Sequence, residues 1–247
     1  MKIAMNAIHK LRSKLPIQLP VEFTRDEADI IRHVIKMNYT MTSPRRIIAT
    51  AKACKYAVAN EIPGDFVECG VWRGGNAIVA RRMFDLMGSE KLVWMFDTFE
   101  GMTVPTQLDV ASYSGKSASD FYKKSLKEGK TNWCLASIED VRENFLASSL
   151  SLDSVRFIKG DVCETLKDPK NLPSDVAVLR LDTDWYESTK FEMETLYPIL
   201  SSKGVLLIDD YGHWEGSRKA VDEFFATQDH VPLLNYTDRT GRSAIKP

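Results

Sequence analysis

A chain of 247 residues, 44% hydrophobic and 27% charged, is long enough for one large domain with a substantial core. Its formal net charge of -1 and pI near 6.4 lack the basic surplus of a general nucleic-acid binder. No run approaches the ~18 apolar residues of a bilayer span, and the mildly basic residues 1–20 lack the apolar core of a signal peptide, so no membrane insertion is expected. The four cysteines, Cys54, Cys69, Cys134 and Cys163, form no C-x-x-C pair and point to a reduced, cytoplasmic protein.

Residues 1–20 read as an arm closed by Pro16 and Pro20. Thr24 followed by Glu27 matches a capping box that opens a helix to about Met37, with Ile30, Ile31, Val34 and Ile35 on one face. Ser43-Pro44 is a second helix start, an N-cap with proline at N1, for a helix to about Ala59. Phe66–Cys69 is a short buried strand entered from the Pro63-Gly64 turn, and a helix from Asn76 to Met87 follows it. Leu92–Phe96 is a second strand, ending in Asp97. Residues 97–135 are long and weakly patterned, the signature of a lid or binding loop.

Ser137 caps a helix to about Phe145, and Val155–Ile158 and Val176–Leu181 are the third and fourth strands. Ser188 begins a helix to about Leu200, Lys203-Gly204 returns the chain into a fifth strand, Val205–Ile208, and a helix from about Ser217 to Thr227 follows. A hairpin of Val231–Tyr236 with Arg242–Lys246 ends the chain. Strands that alternate with helices and finish in a hairpin define an α/β fold: a doubly wound, mainly parallel sheet of seven strands with a C-terminal antiparallel hairpin and an N-terminal helical arm.

The chemistry concentrates where strands end. Glu68, Asp97, Asp161, Asp182 and Asp209 each stand at or just past the end of a strand, and the ligand crevice of an open parallel sheet lies outside those carboxyl ends. The first turn reads E-x-G-x-x-x-G-G, from Glu68 through Gly70 to Gly74 and Gly75, and leads into a helix whose free N–H groups can cradle a ligand. This spacing departs from the dinucleotide fingerprint, and an acid in the strand suits a positively charged cofactor such as S-adenosylmethionine better than a pyrophosphate. Asp97 follows Gly75 by 22 residues, near the spacing of about 20 at which an acid binds ribose hydroxyls. Asp161 is placed to accept an exocyclic adenine amine. Asp182, Asp184, Asp209 and Asp210 crowd carboxylates onto two strand ends, which needs protons or a hard cation such as Mg²⁺ or Mn²⁺.

The chain resembles the macrocin O-methyltransferase (TylF/MycF-type) family, which methylates sugar hydroxyls of macrolide and aminocoumarin antibiotics. The matching stretches are Tyr39-Thr40-Met41-Thr42-Ser43-Pro44, Gly64 through Gly75, Phe96-Asp97-Thr98-Phe99-Glu100-Gly101-Met102, Leu179 through Thr189 and Ile208-Asp209-Asp210-Tyr211-Gly212. The resemblance implies a class I methyltransferase (Rossmann-like) fold, with residues 1–60 as an arm and helices packing on the core and 61–247 as the methyltransferase domain, its lid at about 97–135. It implies S-adenosylmethionine held by Glu68, Cys69, Gly70, Gly74 and Gly75, by Asp97, Thr98 and Phe99, and by Asp161 and Val162.

It further implies a divalent metal, usually Mg²⁺, on Asp182, Asp209 and Asp210, a glycosylated small-molecule acceptor and a homo-oligomer. Asp182, Asp184 and His213 are the candidate general bases. Thr183 and Trp185 stand where glycine and leucine are expected in antibiotic-tailoring members, and His213-Trp214 places two large side chains after the metal strand. Both departures flank the acceptor pocket. Two other readings stand beside this one: a metal-dependent nucleotide-sugar transferase using Asp182-x-Asp184, and a non-catalytic binding module that keeps the fold.

Overall fold

The computed structural model describes residues 18–247, and the arm expected over residues 1–20 falls, up to residue 17, outside them. Helix starts follow their caps. The Thr24 N–H donates to Glu27 Oε2 at 2.8 Å and the Glu27 N–H donates back to the Thr24 hydroxyl, closing the capping box on α1, Arg25–Lys36. Ser43 caps α2, Pro44–Ala59. β1, Asp65–Cys69, α3, Gly75–Leu86, and β2, Val93–Asp97, follow within a residue or two of the expected bounds.

Residues 97–135 hold more structure than their pattern suggests: α4, Ala118–Ser125, and a small hairpin of β3, Leu126–Lys127, with β4, Lys130–Thr131. Beyond them come α5, Ile138–Ala147, β5, Val155–Lys159, the short α6, Val162–Thr165, and β6, Val176–Leu181. The chain closes with α7, Tyr186–Leu196, β7, Leu200–Ile208, α8, Glu215–Ala226, β8, Asn235–Tyr236, and β9, Arg242–Ile245.

The seven-stranded sheet has the order β5-β2-β1-β6-β7-β9-β8. The first five of these strands are parallel and β9 runs antiparallel to β7. From β1 the chain winds outward through β2 and β5, then returns to the other side of β1 with β6. The strand order therefore reverses between β1 and β6, and a crevice opens there. Cys69 pairs with Leu181 and Leu181 with Ile208, so Gly70, Asp182 and Asp209 leave the sheet side by side.

Helices cover both faces. Phe66, Ile78, Met83, Ile47, Ile31 and Phe145 form the core that α1, α2, α3 and α5 share with the sheet. Val67, Cys69, Leu179, Met193, Leu206 and Phe225 form the core under α7 and α8. Fully burying a side chain of this size contributes roughly 1.5–3 kcal/mol.

The first hairpin strand is shorter than expected, Asn235–Tyr236 rather than Val231–Tyr236, and α7 ends at Leu196 rather than about Leu200. Two further boundaries moved for tertiary reasons. β7 starts at Leu200 rather than Val205, because Lys203 (φ 64°) and Gly204 stay in register through bonds to Lys246: the Lys203 N–H donates to Lys246 O and the Lys246 N–H to Gly204 O, each at 2.9 Å. α7 starts at Tyr186 rather than Ser188, because the carboxylate of Asp109, far away in sequence, accepts the Tyr186 N–H at 2.8 Å.

Candidate active site

The β1 turn is built first by backbone packing. Gly70 has φ +82°, and a Cβ there would lie 2.0 Å from the carbonyl oxygen of Asp182. A Cβ on Gly75 would meet Tyr39 O and Thr40 Cβ at 2.6 Å, and the Gly75 N–H donates to Tyr39 O at 3.0 Å. What comes close at these two glycines is thus the protein's own backbone, which draws the Tyr39–Pro44 segment onto the start of α3. Gly74 occupies the N-cap of α3, which has no side-chain cap.

Asp97 holds the same turn from the neighbouring strand. Its Oδ2 accepts the N–H groups of Val71 (2.6 Å) and Trp72 (3.1 Å), and its Oδ1 accepts that of Phe99 (2.8 Å). Burial pushes its pKa upward against the lowering effect of those amides. Trp72 (φ 47°), Phe99 (φ 53°), Cys134 (φ 52°) and Asp184 (φ 72°) all adopt left-handed backbone in the loops along this edge of the sheet. Strain of that kind costs of order 1–3 kcal/mol per residue and concentrates at functional sites.

Asp97→Ala removes charged acceptors worth roughly 1.5–3 kcal/mol each. It is expected to weaken S-adenosylmethionine binding at least about tenfold in calorimetric titration. A change below twofold would leave Asp97 no part in presenting the turn.

Glu68 lies on the same strand but is 1% exposed. Its Oε1 stands 3.2 Å from Arg180 Nη1, and its Oε2 is buried with no hydrogen-bond partner among the described residues. Burial pushes its pKa up to about 8, with Arg180 opposing. The guanidinium of Arg180 also reaches Asp182 Oδ2 at 2.7 Å and Asp209 Oδ1 at 2.5 Å. Arg46, carried by α2, pairs with the other oxygen of Asp209 and, through Nε at 3.2 Å, with Asp238.

One oxygen from each of Asp182, Asp209 and Asp210 lies within 4.8 Å of the others. Asp210 Oδ2 is buried with no hydrogen-bond partner among the described residues. Burial foremost pushes the Asp182 carboxyl up to about 6, with Asp210 adding and Arg180 opposing, and burial raises Asp184 and Asp210 as well. A set of hard oxygen donors, crowded enough to resist ionising together and holding one orphaned oxygen, fits Mg²⁺ or Mn²⁺.

Asp184 stands beside the set, its Oδ1 accepting from Trp214 Nε1 at 3.0 Å. His213 stacks on Trp214 at 4.8 Å between ring centroids, and its N–H donates to the Asp210 carbonyl. Burial, with Arg46 and Arg239 nearby, lowers its pKa.

Other expected residues lie apart from this cluster or point elsewhere. Cys69 and Val162 turn their side chains into the core. The Thr98 hydroxyl donates to Gly101 O at 2.6 Å and shapes the turn after β2. Asp161 caps α6 through the Cys163 N–H at 2.9 Å. It also lines a cavity of about 400 Å³ with Thr103, Thr106, Tyr122, Trp185 and Glu187.

The segment over residues 97–135 is docked on the site. Trp133 meets Trp185 at 5.5 Å and Trp214 at 6.2 Å between centroids, and Ala111, Ala118 and Phe121 pack around them. Trp185 Nε1 donates to Thr103 O at 3.1 Å. Asp109, 0% exposed, accepts from the Thr106 N–H and hydroxyl as well as from Tyr186. Trp185 and Trp214 therefore seat the 97–135 segment through Trp133. Trp133→Ala, a change worth roughly 3–5 kcal/mol in a core, is expected to speed tryptic cleavage at Lys123–Lys130 at least about tenfold while the core of the fold resists. Unchanged cleavage would mean that the tryptophans do not hold the segment down.

The sequence reading missed Arg180, Arg46 and Asp109. Arg180 left a signal: one arginine inside the otherwise apolar run Val176–Leu181 must have partners once buried. Arg46 and Asp109 left none, since their partners lie 163 and 77 residues away.

A sheet that reverses order at a glycine turn, with strand-end acids on both sides of the reversal, is the architecture of the class I methyltransferases. The family model described as macrocin O-methyltransferase (TylF) matches residues 6–242, and the chain belongs to that family. Its enzymes are S-adenosylmethionine-dependent O-methyltransferases. The chain is 34% identical over 206 residues to demethyldecarbamoylnovobiocin O-methyltransferase of Streptomyces niveus, covering 82% of this chain and 74% of that one. It is 33% identical over 245 residues to an 8-demethyl-8-(2,3-dimethoxy-alpha-L-rhamnosyl)-tetracenomycin-C 4'-O-methyltransferase of Streptomyces olivaceus, covering 97% and 88%. The solved structure of the O-methyltransferase NovP superposes with a TM-score of 0.73 at 31% identity over 84% of this chain and 82% of that one.

Proposed function

We propose that this enzyme transfers the methyl group of S-adenosylmethionine to a hydroxyl of a sugar on a small-molecule acceptor, with Mg²⁺ or Mn²⁺ held by Asp182, Asp209 and Asp210. The observation that carries the reading is the convergence of those three carboxylates within 4.8 Å, at strand ends adjoining the Gly70 turn. The relatives support the acceptor class: one is named for a novobiocin precursor and one for methylation of a rhamnosyl group. Family membership leaves the Asp182-x-Asp184 glycosyl-transfer reading without support, since the strand-end acids and the first turn belong to one methyltransferase frame.

Bound S-adenosylmethionine supplies an electrophilic sulfonium methyl, and a bound divalent cation lowers the pKa of the hydroxyl that attacks it. The protein's own part is placement. The β1 turn, braced by Asp97, sets the cofactor side of the crevice, and the acid cluster sets the acceptor side. Holding both reactants at attack distance contributes ~7–11 kcal/mol. Asp182, beside the acceptor, and His213, with its depressed pKa, are the groups placed to take the hydroxyl proton. Asp184 is tied to Trp214 and serves to position the loop after β6. The docked lid, with Trp133 over Trp185 and Trp214, keeps water from the reacting atoms.

Among the described residues no helix is long and apolar enough to cross a membrane. The four free cysteines and the cofactor fit a cytoplasmic enzyme. The family reading also takes it as a homo-oligomer, which sedimentation velocity tests.

The decisive experiment incubates the protein with S-adenosylmethionine, Mg²⁺ and a panel of free, nucleotide-linked and aglycone-linked sugars. Formation of S-adenosylhomocysteine with one O-methylated sugar is expected. Binding of S-adenosylhomocysteine with no transfer to any member would favour a non-catalytic module.

A further inference from the structure

We propose that Arg180 is the positioning residue of the acid cluster, and that Glu68 serves to orient Arg180 rather than to touch the cofactor. The proposal rests on the divalent-cation reading above and assigns to it two residues that stand behind the ligands.

Glu68 and Arg180 are register partners on the adjacent strands β1 and β6, so their side chains rise from the same face of the sheet. Each is 1% exposed. A guanidinium buried that deeply has no water to satisfy it and must be paired by the protein. It is paired three times: Nη1 between Glu68 Oε1 (3.2 Å) and Asp182 Oδ2 (2.7 Å), and Nη2 on Asp209 Oδ1 (2.5 Å). One rigid fork thereby fixes carboxylates that leave three different strands, β1, β6 and β7.

Arg46 completes the frame from α2. It takes the second oxygen of Asp209 and joins it to Asp238, in the turn before β9. Each Asp209 oxygen is thus aimed by an arginine and keeps a further lone pair for a cation. Without the fork, Asp182 and Asp209 would be free to swing apart, since like charges so close repel.

Glu68 fits the role of a buttress better than that of a ligand. Its Oε1 is spent on Arg180, and its second oxygen, Oε2, unpartnered among the described residues, is buried with it, so the whole side chain is 1% exposed. The glycine turn above it is closed by backbone contacts to Asp182 and Tyr39.

The test is the Kd for Mn²⁺, read by electron paramagnetic resonance without cofactor, alongside the Kd for S-adenosylmethionine by calorimetry. Arg180→Lys keeps the charge and loses the fork. It is expected to weaken Mn²⁺ binding at least about tenfold, to lower kcat by a similar factor and to leave S-adenosylmethionine affinity within about twofold. Glu68→Gln keeps shape and folding, and is expected to weaken Mn²⁺ binding about threefold, again with cofactor affinity unmoved.

A purely structural role lowers Tm and leaves the Mn²⁺ Kd of the folded protein unchanged, so that result in Arg180→Lys overturns the proposal. If Arg180→Lys does not fold, Glu68→Gln decides. Normal Mn²⁺ affinity with a tenfold loss of S-adenosylmethionine affinity in that variant would make Glu68 a cofactor ligand. A wild-type protein that binds no Mn²⁺ ends the divalent-cation reading and this proposal together, whereas normal wild-type binding with an indifferent Arg180→Lys ends this proposal alone.

Discussion

Asp210→Asn is expected to cut kcat at least about a hundredfold, a loss of roughly 2.7 kcal/mol in transition-state stabilisation, while cofactor affinity and fold stay intact. The side chain is 5% exposed, and its Oδ2 has no hydrogen-bond partner among the described residues. Asparagine matches its shape and keeps the backbone carbonyl that accepts the N–H groups of His213 and Trp214. What disappears is one anionic oxygen from a cluster of three. Burial raises the cost of ionising Asp210, so removing that charge should leave Tm unchanged or raise it.

A variant that is at least as stable yet inactive separates a ligand from a turn cap, which would lose stability instead. Excess EDTA should likewise abolish turnover, and Mg²⁺ or Mn²⁺ should restore it. Ca²⁺ should restore less, because its longer bonds and looser geometry misplace the hydroxyl. Full methyl transfer in excess EDTA would remove the cation and leave base catalysis by Asp182 or His213 to carry the reaction.

Gly70→Ala is expected to destroy the fold rather than the chemistry. The φ of +82° already disfavours alanine, and its Cβ would lie 2.0 Å from Asp182 O and 2.5 Å from Asp182 C. Both are backbone atoms in the first residue past β6, so no side chain can move aside. Relief requires parting β1 from β6 at the point where the sheet reverses its winding, along with the bond from the Asp182 N–H to Cys69 O at 2.9 Å. Left-handed strain and overpacking together cost ~4 kcal/mol or more, enough to lower Tm by about 10 °C or to leave the protein insoluble. Urea denaturation of any soluble fraction measures it. A midpoint equal to wild type would show that the turn relaxes without parting the strands.

Much of the fold could be read from local pattern. Thr24 with Glu27, Ser43 with Pro44, and Ser137 each marked a helix start, because capping is settled by residues within one turn of each other. The central strands were legible as apolar runs, because strands buried on both faces carry few polar residues. The carboxylates followed from the same logic. An acid at the end of a parallel strand faces the crevice wherever the strand lies in the sheet, so Asp97, Asp182, Asp209 and Asp210 could be named before their neighbours were known.

What each acid does was another matter. The structure adds that Asp97, read at a ribose-binding spacing, accepts the amides of Val71 and Trp72, and that Glu68, read as a cofactor acid, pairs with Arg180. The Asp109 carboxylate, which sets where α7 begins, comes from a segment whose own pattern was weak. By itself the sequence determined the principal elements, their winding, the edge of the sheet where the acids gather and the family. Only the tertiary structure decided the partners of the charged groups, because pairing across β1, β6, β7 and α2 depends on register and layer. A buried guanidinium between three carboxylates leaves no periodic trace along the chain.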